Sequence, residues 1–105
     1  MALLIREIEE ELIVKLSGIF DYNVRTAFRD SYENYQPRKS NQYVLDFSDV
    51  SFIDSSALGM LLLMIDFVGT NRQHLDDSKI RLIHCSEQIK NIFEVARFHV
   101  LFDIS

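Results

Sequence analysis

Asp54, Ser55 and Ser56 stand in a row between an apolar segment that ends at Ile53 and an apolar run that begins at Ala57. If that run is a helix, the two hydroxyls and the carboxylate lie at its N-terminus. There the first backbone N–H groups lack intrahelical partners and the macrodipole is positive, so an added anionic group is favoured. A serine phosphate suits such a place. Nucleophilic catalysis is less well served, because neither serine sits in G-x-S-x-G and no histidine or other obvious base adjoins them. On residue type alone, Ser55 and Asp54 also read as ordinary helix caps. Asp54 could in addition orient the Ser55 hydroxyl or handle its proton, and Ser56 could be structural, its hydroxyl held by a backbone group of the first turn.

The flanking pattern supplies the elements that would hold these groups. Leu3 to Ile8 and Leu12 to Leu16 are rich in branched apolar residues, and the Glu9-Glu10-Glu11 run between them has hairpin length. After Ser17-Gly18, Asp21 is a candidate N-cap for an amphipathic helix carrying Val24, Ala27, Phe28, Ser31, Tyr32 and Tyr35 on one face and ending near Pro37. Gln36 to Gln42 reads as a loop. Tyr43 to Phe47 reads as a central strand, followed by a short acidic loop into the helix that Asp54 caps.

From Ala57 to Val68 every residue but Gly59 and Asp66 is apolar, more than one buried stripe needs. Most of these residues are expected in the core, Leu61, Leu62 and Ile65 above all, while the sharper alternative leaves members such as Leu58 or Met60 exposed for a partner. Gly69 to Ser78 is a second polar connection, Ile80 to Ile83 a strand, and Ser86 the start of a helix with Ile89, Ile92, Phe93 and Ala96 on one side. Val100 to Phe102 reads as a closing strand. A hairpin followed by alternating strands and helices predicts an α/β fold: a small mixed sheet with parallel neighbours and about three to four helices. Functional loops of such sheets gather beyond the carboxyl ends of strands, where Ser55 should lie.

Composition narrows the function classes. The 105 residues, 48% hydrophobic and 26% charged, suit one globular domain spanning 1–105. A net charge of -5 argues against nucleic-acid binding. Cys85 has no partner for an internal disulfide, His74, His84 and His99 match no metal spacing, and no cofactor motif is present. With no signal peptide at the N-terminus and no apolar stretch of membrane-spanning length, a cytoplasmic location without membrane insertion is expected.

The segment VSFIDSSALGMLL closely resembles the phosphorylation-site segment of STAS domains of the anti-sigma factor antagonist family: an apolar residue, Asp, Ser, Ser or Thr, Gly, Leu, Gly. Gly18-Ile19-Phe20-Asp21 matches the family's Gly-x-x-Asp, and HCSEQIKNIFEVARFHVLFDI resembles its closing strand, helix and strand. The resemblance implies a STAS fold and a non-enzymatic protein-binding switch. Ser55 would be the phosphoacceptor, with Ser56 second choice, and Asp21, Asp54, Ser55, Ser56, Ala57 and Leu58 would form the partner surface. It implies two partners, an anti-sigma factor that is also a serine-protein kinase and a metal-dependent serine phosphatase; a monomer or weak dimer is expected. Ala57 departs from the family's usual Gly and narrows the gap for another backbone. Stand-alone relatives also serve other regulators, and some STAS-like domains dock on transporter ATPases, which is the alternative reading.

Overall fold

The two segments rich in branched apolar residues pair antiparallel as expected. In the computed structural model, which describes residues 2–8, 11–34, 42–71 and 80–105, β1 (Ala2–Ile8) pairs antiparallel with β2 (Glu11–Phe20), Leu3 lying opposite Leu16 and Arg6 opposite Ile13. Of the expected turn, Glu9 and Glu10 lie outside the described residues and Glu11 begins the second strand. The strand β2 outruns its expected end at Leu16. Ser17-Gly18 is not a turn after the strand: the register shifts between Lys15 and Ser17 and again between Gly18 and Ile19, and Gly18 adopts φ 85° there, a conformation that a residue with a Cβ rarely takes. The Ser51 hydroxyl donates to the Gly18 carbonyl at 3.2 Å and pins this irregularity to the next strand.

That next strand, β3 (Gln42–Ile53), is twelve residues long and lies parallel to β2. It absorbs the segment expected to be an acidic loop. Val50 and Ile53 continue its buried face while Ser48, Asp49, Ser51 and Phe52 are exposed, so Ser48 to Ile53 keep enough buried positions to pair with β2 to its end. Asp46 and Asp49 thus lie along the strand. At roughly 3.3 Å per residue they are about 26 and 16 Å of strand before Asp54, and they do not join Ser55.

Between these strands a 3-10 turn (Tyr22–Val24) leads into α1 (Arg25–Glu33), which buries Phe28, Ser31 and Tyr32. The expected continuation to Tyr35 and Pro37, the expected loop from Gln36 to Gln42 except for Gln42, which instead opens β3, and His74 fall outside the described residues. Helix α2 (Ser55–Asn71) runs past the polar connection expected to start at Gly69, and β4 (Arg81–Ile83) pairs parallel with β3. Ser86 caps α3 (Glu87–Val95), its side chain accepting from the Ile89 N–H, and Glu87 occupies the first turn as the macrodipole favours.

The closing strand comes later than expected. Val100 to Phe102 is not a strand: Phe98–Val100 form a 3-10 turn after Arg97 at φ 62°, which lets Phe98 and Phe102 stack at 5.4 Å in the core. Only Asp103–Ile104 (β5) pair with Arg81 and Leu82. The sheet order is therefore β1-β2-β3-β4-β5, one antiparallel pair followed by parallel neighbours.

Because the three crossovers step the same way across the sheet, right-handed connections put all three helices on one face. The aromatic contacts agree. Phe67, Tyr32, Phe28, Phe20, Phe47, Phe93, Phe98 and Phe102 touch in series, so α2, α1, β2, β3, α3 and the final 3-10 turn share one core. Among the described residues no helix is long and apolar enough to cross a membrane, and no cluster of His, Cys, Asp or Glu could hold a metal ion.

Candidate functional site

Phe20 and Ile53 are paired neighbours at the ends of β2 and β3, so Asp21 and Asp54 leave the sheet side by side at its carboxyl edge. The Asp54 N–H donates to the Phe20 carbonyl at 3.3 Å, fixing the start of α2 against the end of β2. Asp21 caps the 3-10 turn, its Oδ1 accepting from the Asn23 N–H at 3.0 Å. Its expected capping role is therefore real, displaced by one short turn from α1.

One oxygen of Asp54 is engaged with its own helix. Oδ1 accepts from the Ala57 N–H at 3.1 Å and from the Ser56 hydroxyl at 2.6 Å. The Ser56 hydrogen bond, helped by backbone N–H groups, holds the Asp54 carboxyl below the usual aspartate range. Ser56 is thus structural as expected, but the group that holds it is the Asp54 side chain rather than backbone. Asp54 orients Ser56, not Ser55.

Ser55 is exposed at the first residue of α2, and among the described residues its hydroxyl has no hydrogen-bond partner. Ala57 is fully buried behind it, and Leu58 is half-buried. The Ala57 methyl therefore points into the protein rather than into the space in front of Ser55. At 100° per residue, Ala57, Met60, Leu61 and Met64 form the buried face of α2. Ser55, Gly59, Leu62, Leu63 and Asp66 form the exposed stripe. Met60 is buried, as expected for most of this run, so the alternative that left it for a partner is not met; Leu62, expected in the core, is exposed, which corrects that expectation. A Cβ built on Gly59 would meet nothing within 4 Å.

Three exposed apolar residues beside the carboxyl edge have no counterpart in the sequence reading. Ile19 and Phe52 face each other across β2 and β3, at 49% and 50% exposure, and Tyr22 follows Asp21 at 58%. The signal lay in the pattern Ser51-Phe52-Ile53, where only one of two adjacent apolar residues can face the core. Choosing the outward one required the register, which the Gly18 irregularity shifts.

A family model described as "Mlab, STAS domain" matches residues 4–103, so the chain belongs to the STAS domain family. It is 38% identical over 98 residues to STAS-domain containing protein PA14_20770 of Pseudomonas aeruginosa (strain UCBPP-PA14), covering 91% of this chain and 89% of that protein. Its fold is similar to that of the anti-sigma factor antagonist SpoIIAA in its unphosphorylated form, with TM-score 0.76 and 16% identity over 99% of this chain and 88% of the other. The phosphorylated form of the Bacillus cell fate determinant SpoIIAA matches with TM-score 0.65 and 16% identity, over 99% and 91%.

Proposed function

We propose that this STAS domain is a phosphorylation-controlled binding switch, without enzymatic activity of its own. Unphosphorylated, it binds and sequesters an anti-sigma factor that is also a serine kinase, or an analogous regulator. Phosphorylation of Ser55 releases that partner, and a metal-dependent serine phosphatase resets the domain. The observation that carries this reading is the contrast between the two serines: Ser56 is tied to Asp54, while the Ser55 hydroxyl is exposed at the helix N-terminus. A kinase reaches the second and not the first. The structural likeness to SpoIIAA, a protein observed in both unphosphorylated and phosphorylated forms, supports it.

The partner surface is the carboxyl edge, with Asp21, Asp54, Ser55, Ser56 and Leu58 joined by Ile19, Tyr22 and Phe52; Ala57 supports it from below. A phosphate adds about -1.5 to -2 charges beside Asp54 and Asp21. In the free domain, solvent and the helix N-terminus accommodate that charge. Against a partner shaped for a hydroxyl, desolvation, repulsion and lost hydrogen bonds amount to several kcal/mol, roughly a thousandfold in affinity.

The test is affinity for proteins captured from the native cell by wild type, Ser55→Ala and Ser55→Asp. Ser55→Ala should bind as tightly as the unmodified protein and Ser55→Asp much more weakly. Equal affinity of all three would sink the switch, and capture of membrane-bound ATPase components by all three would favour transporter docking instead.

A further inference from the structure

The groove between α1 and α2 combines features that the switch at Ser55 leaves unexplained. Its floor is apolar and buried, made by Phe28, Tyr32 and Met60, and its lip is Leu63, 65% exposed. Arg25 and Arg29, one turn apart on α1, stand along one side. The chain carries a net charge of -5, yet no carboxylate lines this groove among the described residues.

We infer that this groove is a second docking site, which takes an acidic amphipathic helix of a partner protein independently of the state of Ser55. Four observations select that occupant. The cavity of about 140 Å³ matches the roughly 150 Å³ that holds one benzene-sized group. It falls well short of the about 300–1,000 Å³ of small-molecule pockets, so one large apolar side chain fits and a cofactor does not. The walls are two helices, which offer no unpaired strand edge for an extended peptide, so a helix laid along the groove is the available mode.

Gly59 lies one turn before Leu63 on the same exposed stripe. A mid-helix glycine lowers helix propensity against alanine, and no intramolecular packing requires one here. Its bare backbone leaves room for a second helix to approach closely. Finally, the two guanidinium groups choose acidic flanks. Among the described residues Arg29 is paired with Glu33 through an exposed contact at 3.6 Å, a kind of contact worth little in water and readily exchanged for a partner's carboxylate. Arg25 donates to the Tyr22 carbonyl at 3.1 Å and stands 3.9 Å over the Tyr22 ring, which leaves the rest of its fork to donate to a partner's carboxylate.

The test is selection from a displayed library of amphipathic helices with Phe, Leu or Met anchors and either Glu or Lys flanks, using the full chain as bait. Helices with Glu flanks should be enriched. A selected helix should lose at least about tenfold in affinity on Leu63→Lys and on Arg29→Glu, and none on Ser55→Asp. NMR shifts on binding should centre on Arg25, Arg29, Met60 and Leu63. No enrichment, equal enrichment of Lys-flanked helices, or unchanged affinity for the two groove variants would overturn the assignment. Because Ser55→Asp is tested in parallel, failure of the groove and failure of the switch are read separately.

Discussion

The Asp54 carboxylate accepts the hydroxyl of Ser56 at 2.6 Å and leaves the adjacent Ser55 hydroxyl outside the cap. One carboxylate thereby distinguishes two neighbouring serines: the Ser56 hydroxyl is held in the helix cap, and the Ser55 hydroxyl stays exposed.

That division has a consequence for stability. Ser55→Ala should stay within about 0.5 kcal/mol of wild type, as exposed substitutions do. Ser56→Ala should be clearly less stable, since it strips a partner from the capping carboxylate. Urea denaturation of the two variants checks this; equal midpoints would contradict the capping geometry.

Acid titration separates the same pair in another way. Asp54 is held below its ordinary value of 3.8, first by the Ser56 hydrogen bond. A carboxyl depressed in the folded state contributes stability that is present above the unfolded value and is lost as pH falls through the folded one. The stability difference between wild type and Ser56→Ala should therefore be full near neutrality and shrink below about pH 4. A difference that stays constant to pH 2 would mean that Ser56 acts through packing alone.

At the alkaline end the relevant group is Cys85. Burial pushes its thiol up to about 11, so the native state keeps a proton that the unfolded chain releases near 9. Stability from this source is complete below pH 9 and is lost as pH rises toward 11. Cys85→Ala should flatten that decline. At pH 8 native Cys85 should react with iodoacetamide far more slowly than the unfolded chain.

Gly59→Ala should raise stability by about 0.5–1 kcal/mol, because the helix gains propensity and the new methyl meets nothing. Thermal unfolding checks the sign. A lower melting temperature would show that the backbone at Gly59 is under a constraint that the open space around it does not reveal.

Near the carboxyl ends of β2 and β3, Ile19 and Phe52 are half exposed and contribute little to the core, so Ile19→Ser with Phe52→Ser should cost little stability. Partner affinity should fall by more than about tenfold if the carboxyl edge is the binding surface. Calorimetry with the captured partner gives both numbers.

Much of this arrangement was legible in the sequence, and the misses share a cause. The hairpin, the order of strands and helices, and the caps Asp54 and Ser86 follow from local chemistry, which acts over a turn or two. The lengths of β2 and β3 do not. Polar residues such as Ser17 and Asp49 look like loop, and their pairing with each other keeps them in the sheet. The faces of α2 were ambiguous because nearly every residue from Ala57 to Val68 is apolar, so Leu62, expected in the core, lies on the exposed side. The late β5 reflects tertiary stacking of Phe98 on Phe102, which outweighs the strand propensity of Val100 to Phe102. At the site, the motif marked Ser55, but which serine Asp54 holds was a matter of side-chain geometry.

The central claim is that phosphate on Ser55 decides whether the partner is bound. The direct measurement is site-mapped mass spectrometry of the protein isolated from its native cell with phosphatase inhibitors, comparing the fraction that elutes with a partner and the fraction that elutes alone. The account predicts phosphate on Ser55 in the free fraction and unmodified Ser55 in the bound one. Phosphate absent from both, present equally in both, or confined to Ser56 would contradict it.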